Sequence, residues 1–181
     1  MYFVNLLSII LNFFIQLFIY GAKNIKEKAE LRLKNPYEPL PDMIHDNIPI
    51  INFYMPDKFI LLLIVLVIIN IYSLNDLYKN FICMLICLTI RAFVIRFTIL
   101  PSCIPLNIIN KKQSFYDKMF LSSHDLMFSG HTIYYFFFGN ILNLNIIKVI
   151  GSFLSIASRQ HYTIDVFVAG IIYNYVYLLI K

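Results

Sequence analysis

Charge is scarce in this chain: 14% of its 181 residues are charged, against about 25% in an ordinary soluble domain. Apolar residues make up 60%, and the mean hydropathy is +0.73. The excess recurs along the whole length, which excludes a soluble fold with one buried core and points to a single polytopic membrane domain. Tryptophan is absent and glycines number 5, beside an abundance of Ile, Asn, Phe and Tyr. That pattern is one of compositional drift, so aromatic content alone carries no functional weight. The three cysteines, Cys83, Cys87 and Cys103, lie in or beside one apolar segment without metal-ligand spacing and read as free thiols. No metal or cofactor is expected. The net charge of +5 gathers in two loops, Lys23 to Lys34 and Lys111 to Lys118, suited to anionic headgroups or phosphate-bearing substrates. With no basic stripe on a soluble surface, nucleic acid is not an expected partner; the bilayer is.

Crossing the hydrocarbon takes about 20 apolar residues. Met1 to Tyr20 is uncharged throughout. It lacks the basic n-region and small-residue cleavage site of a signal peptide and is expected to be a retained helix. Lys23 to Lys34 carries charge at helical spacing and is expected at the interface, and the proline-punctuated stretch Asn35 to Pro56 is expected as an ordered loop. Further spans are expected over Phe59 to Leu74 and over Phe81 to Leu100, which stops at Pro101. After the polar connection Ser102 to Asp125 come two short segments, Ser129 to Leu144 and Asn145 to Ser158, then a last span from Thr163 to Ile180. The expected fold is an all-α membrane protein, a bundle of six transmembrane helices. Residues 1–56 hold the first helix, interfacial segment and Pro-rich loop, and 57–181 form a catalytic five-helix core. The two short segments reach only about 20–25 Å, so their shared end near Ser129 and Arg159 is expected below the membrane surface, level with a lipid headgroup.

Ser129-Gly130-His131-Thr132 opens the first short segment. Small residues at a helix start leave backbone N–H groups for an anion, and His131 is placed to exchange a proton with it. In Arg159-Gln160-His161-Tyr162-Thr163-Ile164-Asp165, His161 and Asp165 share a helix face. A carboxylate there accepts one imidazole N–H and leaves the other nitrogen to attack. Arg159 is expected to reach phosphate oxygens. Two crossings return the chain from His131 to His161 on the same side, where the third helix also ends. Its Arg91 costs several kcal/mol in the membrane unless paired or facing a polar cavity. Arg96 points about 140° away and reads as a snorkelling or packing arginine. His45 and His124 read as loop histidines.

These strings resemble the paired signatures of the sphingomyelin synthase family, within the type 2 phosphatidic acid phosphatase superfamily. The resemblance rests on Ser129-Gly130-His131-Thr132, on His161-Tyr162-Thr163-Ile164-Asp165-Val166 with Ala169, on Arg91 followed by Thr98, Leu100 and Pro101, and on Pro39-Leu40-Pro41-Asp42 with His45-Asp46. It covers about Pro36 to Ala169. It implies metal-independent chemistry through a phosphohistidine. His161 would attack the headgroup phosphorus of a phospholipid and Asp165 would orient it. His131 would protonate the departing diacylglycerol and then deprotonate the primary hydroxyl of ceramide. Asp125 falls where the family carries an acidic residue; a carboxylate there could tune His131 or hold a choline or ethanolamine cation. Where family members commonly read Cys-Gly-Asp, this chain reads Ser123-His124-Asp125, which leaves the headgroup open. The family's N-terminal extension and C-terminal cytosolic tail are not found in the chain as given.

The expected activity is therefore a phosphosphingolipid synthase, with a phosphatidylcholine or phosphatidylethanolamine donor and ceramide as acceptor. Its rivals are a lipid phosphate phosphatase, in which water replaces ceramide, an inositol phosphorylceramide synthase, and a non-catalytic lipid-binding or scrambling protein. Residence in Golgi, ER or plasma membrane is expected, and homo-oligomerisation is open. Counting Lys and Arg puts the site in the cytosol, whereas the resemblance points to the lumenal or exoplasmic face. A phosphate site attracts cations whichever way it faces, so the resemblance is followed.

Overall fold

The computed structural model describes residues 31–35, 37–69, 74–104 and 127–180. Among these the backbone forms six helices and no strand: α1 (Met43–Asn47), α2 (Met55–Ile69), α3 (Leu74–Phe97), α4 (Gly130–Ile141), α5 (Asn145–Ala157) and α6 (Thr163–Leu179). The ends follow from local chemistry. Asp42 caps α1, its Oδ1 accepting the N–H groups of Ile44 (3.1 Å) and His45 (3.2 Å). Pro56 is tolerated in the first turn of α2, where its missing N–H has no helical partner anyway. Ser129 caps α4 through a 3.2 Å bond from the Thr132 N–H, and Asn143 at φ 53° closes the turn into α5 in the left-handed region Asn tolerates.

α4 is the central helix, packed on α2, α3, α5 and α6. Its Ile133, Tyr135, Phe137 and Phe138 join Leu63 and Val67 of α2, Cys83, Met84 and Cys87 of α3, and Ala169, Tyr173 and Val176 of α6 in one core. Contact with α5 is intimate: a Cβ on Gly151 would fall 2.2 Å from Tyr135 Cγ, so only glycine lets the two helices meet there. The Tyr135 hydroxyl donates to the Pro56 carbonyl (3.2 Å) and fixes the start of α2 against α4. Outward faces are apolar, including Leu61, Ile68 and Ile69 on α2, Val149 and Phe153 on α5, and Phe167, Ile171 and Leu178 on α6.

The helices expected from Phe59, Phe81, Ser129, Asn145 and Thr163 correspond to α2 through α6, with α2 and α3 beginning earlier. The expected first span, Met1 to Tyr20, lies outside the described residues. The six-span count is only partly matched. Among the described residues, one helix is long and apolar enough to cross a membrane, Leu77–Ile95, with hydropathy 1.7. α5 and α6 are apolar but shorter. At 12 and 13 residues, α4 and α5 rise only about 18–20 Å.

Candidate active site

The approach to α4 is built around Arg91. Its side chain is 3% exposed, and its Nε donates to the Phe128 carbonyl at 2.6 Å. Phe128 turns that carbonyl inward by adopting φ 84°, a conformation costing a bulky residue about 1–3 kcal/mol. Gly130 lies over the guanidinium; a Cβ there would meet Arg91 Nε at 3.4 Å. The Ser129 N–H donates to the Asp165 backbone carbonyl (3.1 Å), which ties the start of α4 to the first turn of α6. The Ser129 N–H, expected to be open to an anion, is therefore engaged within the protein.

That tie brings the two histidines together. The rings of His131 and His161 have centroids 5.7 Å apart at 64°. His161 Nδ1 lies 3.8 Å from Asp165 Oδ2, an ion-pair distance longer than a hydrogen bond. The same oxygen accepts the Tyr162 N–H at 3.0 Å, so the carboxylate is locked into the helix start while facing the imidazole. His131 has a partner of its own: its Nε2 is 3.0 Å from Asp57 Oδ1. The other Asp57 oxygen accepts from Gln160 Nε2 (3.2 Å), which also donates to the Phe53 carbonyl (2.7 Å). Asp57 precedes the apolar run beginning at Phe59. Its side chain is 55% exposed, so the partial desolvation that opposes its charge is outweighed by the bonds from His131 and Gln160, which hold it below the ordinary carboxylate value. Each histidine therefore faces one carboxylate.

Residues 39–53 cross the C-terminal side of this pair as a strap. Asp42 Oδ2 accepts the Thr163 N–H and its Oδ1 the Thr163 hydroxyl, both at 2.7 Å, so one carboxylate caps α1 and holds the start of α6. Burial opposes ionisation of Asp42, but the Thr163 and His45 bonds keep it below 3.8. The Leu40 N–H donates to the Tyr162 hydroxyl (2.9 Å), which donates to the Pro101 carbonyl (3.1 Å). Burial pushes that phenol up to about 12. His45 Nε2 meets the His161 carbonyl at 3.0 Å and the ring stacks on Tyr162. Burial, with Arg159 adding to it, lowers His45 from 6.5 despite Asp42.

Of the residues expected at the site, His131, His161, Asp165, Arg91, Ser129 and Gly130 converge. Arg159 does not turn toward the histidines. Its backbone is left-handed (φ 62°), and its Nη2 donates to the carbonyls of His45 and Ile48 (3.2 Å for Ile48), fastening the strap. Asp125 lies outside the described residues. Reading the sequence missed Asp57 and Gln160. Gln160 carried a weak signal, standing next to His161; Asp57 carried none, being far from His131 in the chain. His45, read as a loop histidine, is buried against His161. Among the described residues, no three His, Cys, Asp or Glu side chains are grouped to hold a metal ion.

Two histidines, each beside a carboxylate, with a buried arginine at a helix start, form a site suited to proton and phosphoryl exchange. Residues 123–181, which include both histidines and α4 to α6, match the family model described as PAP2 superfamily C-terminal. The match supports the type 2 phosphatidic acid phosphatase superfamily, whose members are generally phosphatases and phosphotransferases. No curated protein matches the chain.

Proposed function

We propose that this protein is a multi-pass membrane phosphotransferase that moves phosphocholine or phosphoethanolamine from a glycerophospholipid to the primary hydroxyl of ceramide. The observation that carries the reading is the pair of imidazoles 5.7 Å apart, each facing its own carboxylate. Apolar outer faces on α2, α5 and α6 support a lipid setting, and the strap Pro39-Leu40-Pro41-Asp42 supports the transferase branch by its resemblance to that family.

In the first step His161 Nε2 attacks phosphorus while Asp165, on the Nδ1 side, steadies the charge gained by the ring. The bond from phosphorus to the diacylglycerol oxygen breaks, and that oxygen takes a proton from His131. In the second step the ceramide hydroxyl oxygen attacks phosphorus and the P–N bond to His161 breaks. The hydroxyl proton passes to His131, restoring the starting state. Arg91 at the start of α4 offers positive charge to the phosphate oxygens. The site is assigned to the lumenal or exoplasmic side.

Reconstitution in vesicles with ceramide and separately labelled choline, ethanolamine and inositol phospholipids tests this. A labelled phosphosphingolipid and diacylglycerol are expected, and His161→Ala should abolish both while the protein still expresses and inserts. Activity retained in that variant refutes the nucleophile assignment. Release of the label only as a water-soluble phosphate ester means that water, not ceramide, is the acceptor and refutes the transferase reading.

A further inference from the structure

We infer that Asp57 is the positioning residue for proton transfer by His131, so that the site holds two imidazole–carboxylate pairs with different tasks. The inference rests on the phosphotransfer reading above. An ionised carboxylate only accepts hydrogen bonds, so at 3.0 Å from Asp57 Oδ1 His131 carries a proton on Nε2. That fixes the tautomer and ring orientation, and leaves Nδ1 as the nitrogen that gives and takes the catalytic proton. Asp57 is itself held: Gln160 donates to its second oxygen at 3.2 Å and anchors to the Phe53 carbonyl at 2.7 Å. Gln160 is also the neighbour of His161, so one side chain sets the proton shuttle's partner relative to the nucleophile. Pro56, which precedes Asp57, accepts the Tyr135 hydroxyl one turn along α4 from His131, fixing the same relationship from the other side.

Proton balance separates this role from a merely structural one. In the first step the diacylglycerol oxygen leaves only as it gains the His131 proton. A phosphocholine ester of p-nitrophenol loses a stabilised phenolate that needs no proton, although attack by His161 is unchanged. The experiment compares both donors with full-length wild type, Asp57→Asn, Asp57→Glu, His131→Ala and the Asp57→Asn/His131→Ala double variant in phospholipid nanodiscs.

Asp57→Asn should slow cleavage of the diacyl donor about 100-fold, within the range of general acid catalysis, chiefly in kcat. Nitrophenolate release should fall less than about 5-fold, because general acid assistance is dispensable there. That readout also reports that the variant has folded. Asp57→Glu should restore part of the loss, and the double variant should be no slower than His131→Ala alone, since coupled residues are not additive. Equal losses with both donors, or a further loss in the double variant, would overturn the assignment while leaving the transferase reading intact. Wild-type protein inert toward both donors would overturn the reading itself, and this inference with it.

Discussion

Replacing Asp42 with alanine removes four hydrogen bonds at a stroke, to the N–H groups of Ile44, His45 and Thr163 and to the Thr163 hydroxyl. The loss divides into two parts. Removing an N-cap costs about 1 kcal/mol. Each bond from Thr163 ends on a charged, largely buried acceptor at 2.7 Å, where about 1.5–3 kcal/mol is usual. Water entering the gap returns part of this, so a total loss of about 3–4 kcal/mol is expected. It should be local, loosening residues 39–53 from the start of α6. Hydrogen exchange read by mass spectrometry, on protein in nanodiscs, measures it directly. Amides of His45, Asp46 and Ile51 should exchange at least about 100-fold faster, while α4 keeps its protection. Asp42→Asn should fall between, because its carbonyl can still cap α1 but its amide cannot also accept from Thr163. Unchanged protection of the strap in Asp42→Ala would refute the claim that this carboxylate is its clasp.

Two other outcomes follow from the same geometry. His45 is lowered from 6.5 by burial, so the opened strap takes up a proton as pH falls below 6.5 while the closed one resists. Strap stability should therefore decline as pH falls through 6.5, and His45→Gln should flatten that decline in the same exchange experiment; the Asp42 contribution, by contrast, is lost only below 3.8. Gly151→Ala places a methyl group 2.2 Å from Tyr135 Cγ, and the resulting overpacking should destabilise the α4–α5 contact by about 1–3 kcal/mol, read as a lowered Tm in detergent.

Much of the helical frame was legible because apolar runs and their breakers are local signals. Ser129 marked the start of α4, whereas α3 ends at Phe97, short of the Leu100 expected before Pro101. His161 and Asp165 were legible for the same reason: four-residue spacing on a helix needs no knowledge of the rest of the fold. Arg91 announced itself as a charge inside an apolar run. Partners brought together by packing left no such trace. Asp57 reads as the polar lead-in to a span, and only the docking of α2 on α4 carries it to His131. Arg159 illustrates the opposite failure. Its position beside the histidine suggested phosphate, but the left-handed turn at φ 62° sends its guanidinium toward the strap carbonyls.

The clasp between Asp42 and Thr163 joins residues 121 positions apart, and the bond from Ser129 to Asp165 joins the same final helix to α4. A chain made from its N-terminus has both anchoring points waiting, unengaged, until α6 has emerged and docked. Contacts of such long sequence separation form late because their loop-closure cost must be met first. His161 and the helix that anchors the strap therefore arrive together, so His131 and His161 are brought face to face only when the last helix has docked.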